Sequence, residues 1–431
     1  MCTGCTHCMT VCPTEAIRVR SGKAVILEER CVDCGNCCKA CPVSAIIIEQ
    51  DDFEEIFVYP VRVALLPSVF IGQFPSGIKT GEVFEALKIL GFTHIVEIDS
   101  VVDTVQEGYD AFIKSSHQGP HISTFCPAVV RLIQVRFPSL ADQLIRVKPP
   151  SDVAAISYRS KLESGGVKSG DIGIFYVTPC AAKIASIKSP VGEDISSVNG
   201  VINMEYLYNR VLKLIMSGEV EKESVPDSGS LSARDILWSL TRGESRNQKG
   251  RCLAVDGMKN VTEFLEGLEE SEDTSLDFLE LRACDESCAG GVLISGNRFL
   301  TVERLNRRAS EIKKIPSGKA EKIPFRSEIH SLASIEPRSM LVMDPDRMVA
   351  MEKIAKQEEL MKILPGIDCA ACGSPNCRAL AEDIVQGRAL PSWCVFLQEL
   401  YIRENRLSLD ETDEINASIW GKDRDYRSQR K

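Results

Sequence analysis

Eighteen cysteines stand in this chain of 431 residues, most of them in short-spaced groups. Cys2, Cys5, Cys8 and Cys12 follow C-x2-C-x2-C-x3-C and run into Pro13; Cys31, Cys34, Cys37 and Cys41 repeat the pattern and run into Pro42. Cys369, Cys372, Cys377 and Cys394 make C-x2-C-x4-C-x16-C, and Cys126, Cys180, Cys284 and Cys288 are scattered through the middle of the chain. Thiolates are soft anionic ligands, and grouped thiolates select soft metals or metal-sulfur clusters. In an exported protein such groups would read as a disulfide framework. The N-terminal MCTGCTHC, however, has neither the basic flank nor the apolar core of a signal peptide. The expectation is a cytoplasmic chain whose cysteines bind metal.

The two N-terminal runs are offset by 29 residues (31 − 2), and the texture around them repeats as CPTEAIRV and CPVSAIII. Each reads as a tight cysteine loop passing through a short helical turn into a strand. The pattern resembles the bacterial two-cluster ferredoxin, a small α+β module in which the fourth cysteine of each run crosses to the other cluster. That resemblance implies one [4Fe-4S] cube on Cys2, Cys5, Cys8 and Cys41, and a second on Cys31, Cys34, Cys37 and Cys12. Cys38 is left over, and His7 is expected in solvent. Structural zinc also accepts four thiolates.

From Val61 the texture changes to alternating strands and helices: VRVALLPS, the helix GEVFEALKIL, THIVEID, DIGIFYV, RCLAVDG and FLELRAC. A helix after RCLAVDG places Val261, Phe264, Leu265 and Leu268 on one face. This predicts an α/β domain with mainly parallel sheets. Cys180 and Cys284 fall just past predicted strand ends, where such sheets hold their ligands.

Three islands carry the chemistry: HISTFCPAVVRLIQVRFPSL, FYVTPCAAK and FLELRACDESCAGG. In this order they resemble the three signature motifs of the [FeFe]-hydrogenase large subunit, over residues 61–332. The resemblance implies an H-cluster, with a [4Fe-4S] cube on Cys126, Cys180, Cys284 and Cys288, and Cys288 bridging to a diiron subsite. Lys183 matches the family lysine that donates to a cyanide of that subsite, and an ammonium suits an anionic cluster. Read without the family, the four cysteines are equally compatible with buried thiols and Lys183 with a surface lysine.

The chain departs from the family along the proton path. Phe125 stands where catalytic members carry a second cysteine, and Ile145 where they carry a relay serine; neither side chain handles a proton. Glu107 and Asp110 match the outer carboxylates at i, i+3 helical spacing, which also describes a solvated helix face. Arg282 and Thr178 replace methionines of the diiron pocket. An arginine there raises a cluster's potential or binds an anion. The glycines after Cys288 are fewer than in the family.

Residues 344–362 read as an amphipathic helix leading into the third cysteine set. That set resembles the small helical Fe-S domain appended to electron-transfer proteins and sensory hydrogenases, which implies one further [4Fe-4S] cube; zinc is the alternative. The expected domains are 1–52 (two-cluster ferredoxin), 55–335 (H-cluster), 340–400 (C-terminal Fe-S) and 401–431 (polar tail). Cys252 is expected as a buried thiol.

Composition narrows the partners. With 51 Lys and Arg against 61 Asp and Glu, the net charge of −10 argues against nucleic acid. No apolar run approaches the ~18 residues of a membrane span. No HExxH, phosphate-loop or dinucleotide glycine pattern occurs, so nicotinamide chemistry would belong to a partner. The implied reading is an oxidoreductase of an anaerobe: slow, sensory turnover of H2 and protons, with electrons relayed to a redox partner. That partner would be a ferredoxin, another hydrogenase subunit or a signalling protein. The alternative is an electron-transfer or Fe-S assembly scaffold without the diiron subsite.

Overall fold

The computed structural model describes residues 1–116, 119–220, 231–270, 275–312, 323–338 and 342–422. The chain forms two compact units: residues 49–337, and residues 1–48 together with the chain from Arg338 onward.

In the unit built from the two chain ends, the N-terminal repeat is visible in the backbone itself. Left-handed φ values at Gly4, Thr6 and Glu15 recur 29 residues later at Asp33, Gly35 and Ser44. Short helices His7–Thr10 and Asn36–Ala40 follow the first loop of each half. Strands β1 (Ile17–Arg20) and β2 (Lys23–Ile26) pair antiparallel, Ile17 opposite Ile26. The strand expected at CPVSAIII does not form. Its backbone serves sulfur instead: Ala45 N–H donates to Cys41 Sγ at 3.2 Å, and the Ile46 carbonyl accepts from Cys38 Sγ at 3.3 Å.

The outer edge of β1 and the turn after it are taken by C-terminal residues. Val19 N–H donates to the Gly373 carbonyl at 2.8 Å, Ser21 to Ser418 at 2.7 Å and Gly22 to Ile419 at 2.9 Å. Buried charge reinforces the join: the Asp383 carboxylate, 1% exposed, accepts from Arg18 Nε at 2.6 Å and Arg20 Nη2 at 2.9 Å, and Arg30 pairs with Glu382. Of the expected segments 1–52 and 340–400, residues 1–48 and the C-terminal segment therefore meet in one unit, while residues 49–52 belong to the other. The helix expected at 344–362 is Arg347–Ile363, capped by Asp346, whose side chain accepts from Met348 and Val349 N–H. Within the stretch read as a polar tail, Ser408 caps a helix Leu409–Trp420; its Ile419 is buried, and Trp420 Nε1 donates to the Ala371 carbonyl at 3.1 Å. Residues 423–431 lie outside the described residues.

The central unit is an α/β fold with two sheets. β3 (Val61–Leu66), β4 (His94–Glu97), β5 (His121–Ile122), β6 (Ile172–Thr178), β7 (Gly200–Asn203), β8 (Cys252–Asp256) and β9 (Phe278–Arg282) are ordered β4-β3-β6-β7 and β5-β9-β8, every pair parallel. Parallel sheets are covered on both faces, so their strands read as continuous apolar runs. Accordingly Ala64, Leu66, Phe175 and Val177 enter one core, while the alternate residues Val63, Leu65, Ile174 and Tyr176 enter the other. The helix Met258–Glu270 buries Val261, Leu265 and Leu268, as its period requires, with Phe264 partly buried. Cys252 opens β8 and is only partly buried, because it lies at the strand's start. No helix among the described residues is long and apolar enough to cross a membrane.

Candidate metal centres

The cysteines stand as thiols, and the backbone gathers them into sets. Cys2, Cys5, Cys8 and Cys41 line one pocket together with Val19, Ala24 and Ile46. Gly4 and Ala24 N–H groups point at Cys2 Sγ at 3.5 and 3.3 Å. In the other half-set, Cys31, Cys34 and Cys37 each feel the charge of Cys12. Burial, with the neighbouring thiolates adding to it, pushes Cys31 and Cys37 up to about 11. Ala16 N–H donates to Cys12 Sγ at 3.2 Å, the counterpart of Ala45 to Cys41. Such N–H···S bonds stabilise the anionic sulfur of a cluster. His7 is exposed.

Cys369, Cys372, Cys377 and Cys394 line a cavity of about 270 Å³ with Pro365, Ala370, Asn376, Leu380 and Val395. Left-handed turns at Asp368, Ala370 and Gly373 curl the loop. Asn376 caps the helix Cys377–Val385, accepting from Ala379 N–H at 2.7 Å, and Asp368 accepts from Cys377 N–H at 2.8 Å. Cys377 begins one nine-residue helix, and Cys394 directly precedes another, Val395–Arg403.

In the central unit Cys126 precedes the helix Pro127–Arg136, and Cys180 follows β6 and precedes the helix Ala181–Lys188. Cys284 follows β9, and Cys288 lies in the turn Ser287–Gly290. Missing side chains let the Cys288 turn close and approach the Cys180 loop: a Cβ on Gly290 would meet the Asp285 carbonyl of its own loop at 1.8 Å, and one on Gly291 the Pro179 carbonyl at 2.3 Å. Thr178 Oγ1 staples the Cys180 turn, donating to the Cys180 carbonyl at 3.1 Å. Cys180, Cys288 and Cys126 lie in one another's fields, and burial leads these effects in pushing Cys180 up to about 12.

Lys183 is buried beside them. Its Nζ donates to Tyr176 Oη at 3.2 Å and lies 4.2 Å from the Phe125 ring centroid. Burial opposes its charge, but the neighbouring Tyr176 oxygen and the Cys288 and Cys180 sulfurs outweigh burial and hold its pKa above the usual lysine value. Burial pushes Tyr176, Cys180 and Cys288 up as well. Arg282 is also buried: its Nη2 meets Glu244 Oε2 at 2.6 Å, its Nε lies 3.6 Å from Glu280 Oε1, and its guanidinium carbon lies 3.8 Å from the Phe125 centroid. Arg282 Nη1 has no hydrogen-bond partner among the described residues, although Cys288 and Cys126 contribute to its field. A buried donor of this kind, next to thiolates, suits the sulfides of a cluster.

Glu107 and Asp110 are placed elsewhere. Both are exposed on the helix Val102–Ser115; Glu107 accepts from Phe325 N–H at 3.2 Å and Asp110 from Gln106 Nε2 at 2.9 Å. Among the buried residues of that helix is Tyr109, which donates to Glu244 at 2.9 Å, while Ser123 donates to the same carboxylate at 2.8 Å. Burial is the chief cause of Glu244's raised pKa. Asp99, accepting from both Ser68 N–H and Oγ at 2.6 Å, is pushed by burial to about 7 and feels Lys183. Sequence reasoning missed Glu244, Glu280 and Asp99. The one available signal was Glu280, a carboxylate inside the otherwise apolar run FLELR.

Three family models match the chain: the iron-only hydrogenase large subunit, C-terminal domain, over residues 61–234; a 4Fe-4S dicluster domain over 1–46; and an Fe-S cluster domain over 364–396. Cys284 and Cys288 lie beyond the first match. The NADP-reducing hydrogenase subunit HndD of Solidesulfovibrio fructosivorans is 25% identical over 240 residues, 53% of this chain and 37% of that protein. Iron hydrogenase 1 of Clostridium pasteurianum is 24% identical over 283 residues, 54% of this chain and 49% of that protein. The chain thus spans less than half the length of these relatives. A solved variant of the [FeFe]-hydrogenase HydA1 from Chlamydomonas reinhardtii aligns at 14% identity over 67% of this chain and 98% of that one, with a TM-score of 0.47. In its central match and its relatives the chain is similar to the [FeFe]-hydrogenase large subunit, and in residues 1–46 and 364–396 to iron-sulfur cluster domains.

Proposed function

We propose that the chain is a hydrogenase-like iron-sulfur oxidoreductase of low turnover, suited to sensing H2 rather than to bulk production. In this reading Cys126, Cys180, Cys284 and Cys288 hold a [4Fe-4S] cube extended at Cys288 by a diiron subsite, which supplies H2 binding and cleavage when present. Lys183 donates to that subsite, and Arg282 Nη1 donates to cluster sulfur. The three outer cysteine sets would hold one cube each and pass electrons to a redox protein partner.

The observation that carries the reading is the position of Lys183, buried one turn beyond Cys180 with its Nζ 3.2 Å from Tyr176 Oη and 4.2 Å from the Phe125 ring centroid. Its low rate follows from Phe125 and Ile145. Both are buried, and neither side chain can hold or pass a proton.

The test is infrared spectroscopy of the chain co-produced with the hydrogenase maturation enzymes, together with iron analysis. Four cubes correspond to about 16 iron atoms (4 × 4) and the diiron subsite to about two more. CO and CN stretching bands are expected; full cube occupancy without them would leave an electron-transfer protein.

A further inference from the structure

We propose that strand β1 is an electron bridge between the C-terminal thiolate pocket and the pocket of Cys2, Cys5, Cys8 and Cys41, so that the C-terminal centre is the port of the N-terminal cubes. This rests on both pockets holding [4Fe-4S] cubes, and is independent of the diiron subsite. Cys369, Cys372, Cys377 and Cys394 would hold the entry centre, and a low-potential one-electron carrier protein would dock at Cys369. The cubes would supply one-electron transfer when bound, the carrier losing the electron that the neighbouring cube gains. No bond is made or broken.

Val19 belongs to both sites. Its side chain lines the first pocket, and its N–H donates to the carbonyl of Gly373, the residue after Cys372, at 2.8 Å. Ala370, which lies between Cys369 and Cys372 and lines the C-terminal pocket, packs in the same apolar cluster as Cys8, Ile17 and Val19. A second link runs through Asn376, a lining residue of the C-terminal pocket, whose Nδ2 donates to Glu15 Oε1 at 2.7 Å, three residues beyond Cys12. Electron tunnelling decays exponentially with distance, and here one residue's thickness of packed, hydrogen-bonded protein separates the two linings.

The join is also held rigidly. Gly373 sits at φ +71°, and a Cβ there would meet the Val19 carbonyl at 2.4 Å, so only glycine permits this approach. Arg20 spans it, with Nη1 donating to the Gly373 carbonyl at 2.9 Å, Nη2 to Asp383 at 2.9 Å, and its guanidinium carbon 4.6 Å from the Trp393 ring centroid, beside Cys394. Exposure assigns the direction: Cys372, Cys377 and Cys394 are buried, and Cys369 alone of the four is exposed.

The experiment is low-temperature electron paramagnetic resonance of the full chain, loaded anaerobically with iron and sulfide and reduced with dithionite. In the parent, the signal of the first cube is broadened by its C-terminal neighbour. Cys377→Ser is expected to remove about four iron atoms and that part of the broadening, leaving only the coupling between the two N-terminal cubes. Gly373→Val keeps every ligand and the full iron count, and should weaken the broadening by wedging the loop off β1. A parent spectrum equal to the sum of the Cys377→Ser spectrum and an isolated centre would overturn the proposal. So would zinc in place of iron in the C-terminal pocket. Neither outcome depends on the CO and CN bands that test the central site.

Discussion

The guanidinium carbon of Arg282 lies 3.8 Å from the ring centroid of Phe125, with both side chains 2% exposed. Desolvated cation–π pairs contribute about 2 kcal/mol, and the same ring also receives Lys183 at 4.2 Å. Both cations are thus packed against a single phenyl ring.

Phe125→Cys restores a proton-handling group at the position before Cys126. A positioned acid or base contributes about 10²–10⁴-fold; since Ile145 still interrupts the path, a rise of at least about tenfold in H2 evolution is expected, normalised to iron. An intact, fully loaded variant turning over at the parental rate would remove the explanation of slowness offered here.

Arg282→Met strands Glu244 and Glu280 as buried carboxylates. Removing one partner of a buried ion pair costs roughly 3–5 kcal/mol, read as a lower urea midpoint. Adding Glu244→Gln should recover part of that loss, because an amide needs no counter-charge. If the second substitution simply adds its own penalty, the pair contributes no coupling.

Asp99 makes stability depend on pH. Burial raises its carboxyl to about 7 in the fold, from an ordinary value of 3.8, so the folded chain keeps a proton that the unfolded chain releases. That contribution is complete below the unfolded value and is lost as pH rises through about 7. Between pH 6 and 8 the thermal midpoint should fall, and Asp99→Asn, whose amide oxygen still accepts from Ser68, should flatten the slope. Identical slopes in parent and variant would exclude Asp99 as the source.

Asp383→Asn tests the join between the chain ends. Arg18 Nε and Arg20 Nη2 both donate to Asp383, and an amide leaves that buried positive charge uncompensated, at a cost of roughly 3–5 kcal/mol. Limited proteolysis within residues 1–48 should speed up while cleavage within residues 49–337 stays at its parental rate. Equal acceleration in both would point to a global effect instead.

Much of this was readable from residue order because ligand spacing is local. The 29-residue repeat in the sequence reappears in the backbone from Gly4 to Ser44, and the apolar run DIGIFYV was readable as a strand of a covered parallel sheet. Pairings across long separations were not readable. Nothing near Asp383 announces Arg18, 365 residues away, and Glu244 gains its meaning only from Tyr109, Ser123 and Arg282. Glu107 and Asp110 show the converse: helical spacing put them on one face, but spacing does not say which face meets solvent.

The union of Val19 with Gly373 has a consequence for biosynthesis. Ribosomes add about 5–20 residues per second, so the stretch separating these two positions takes on the order of 20–70 seconds to emerge. Throughout that interval the first hairpin has an unpaired edge, and its arginines lack their acid. Iron delivered to the nascent chain would meet a half-built vestibule, which makes insertion after release, onto the finished polypeptide, the order this architecture favours.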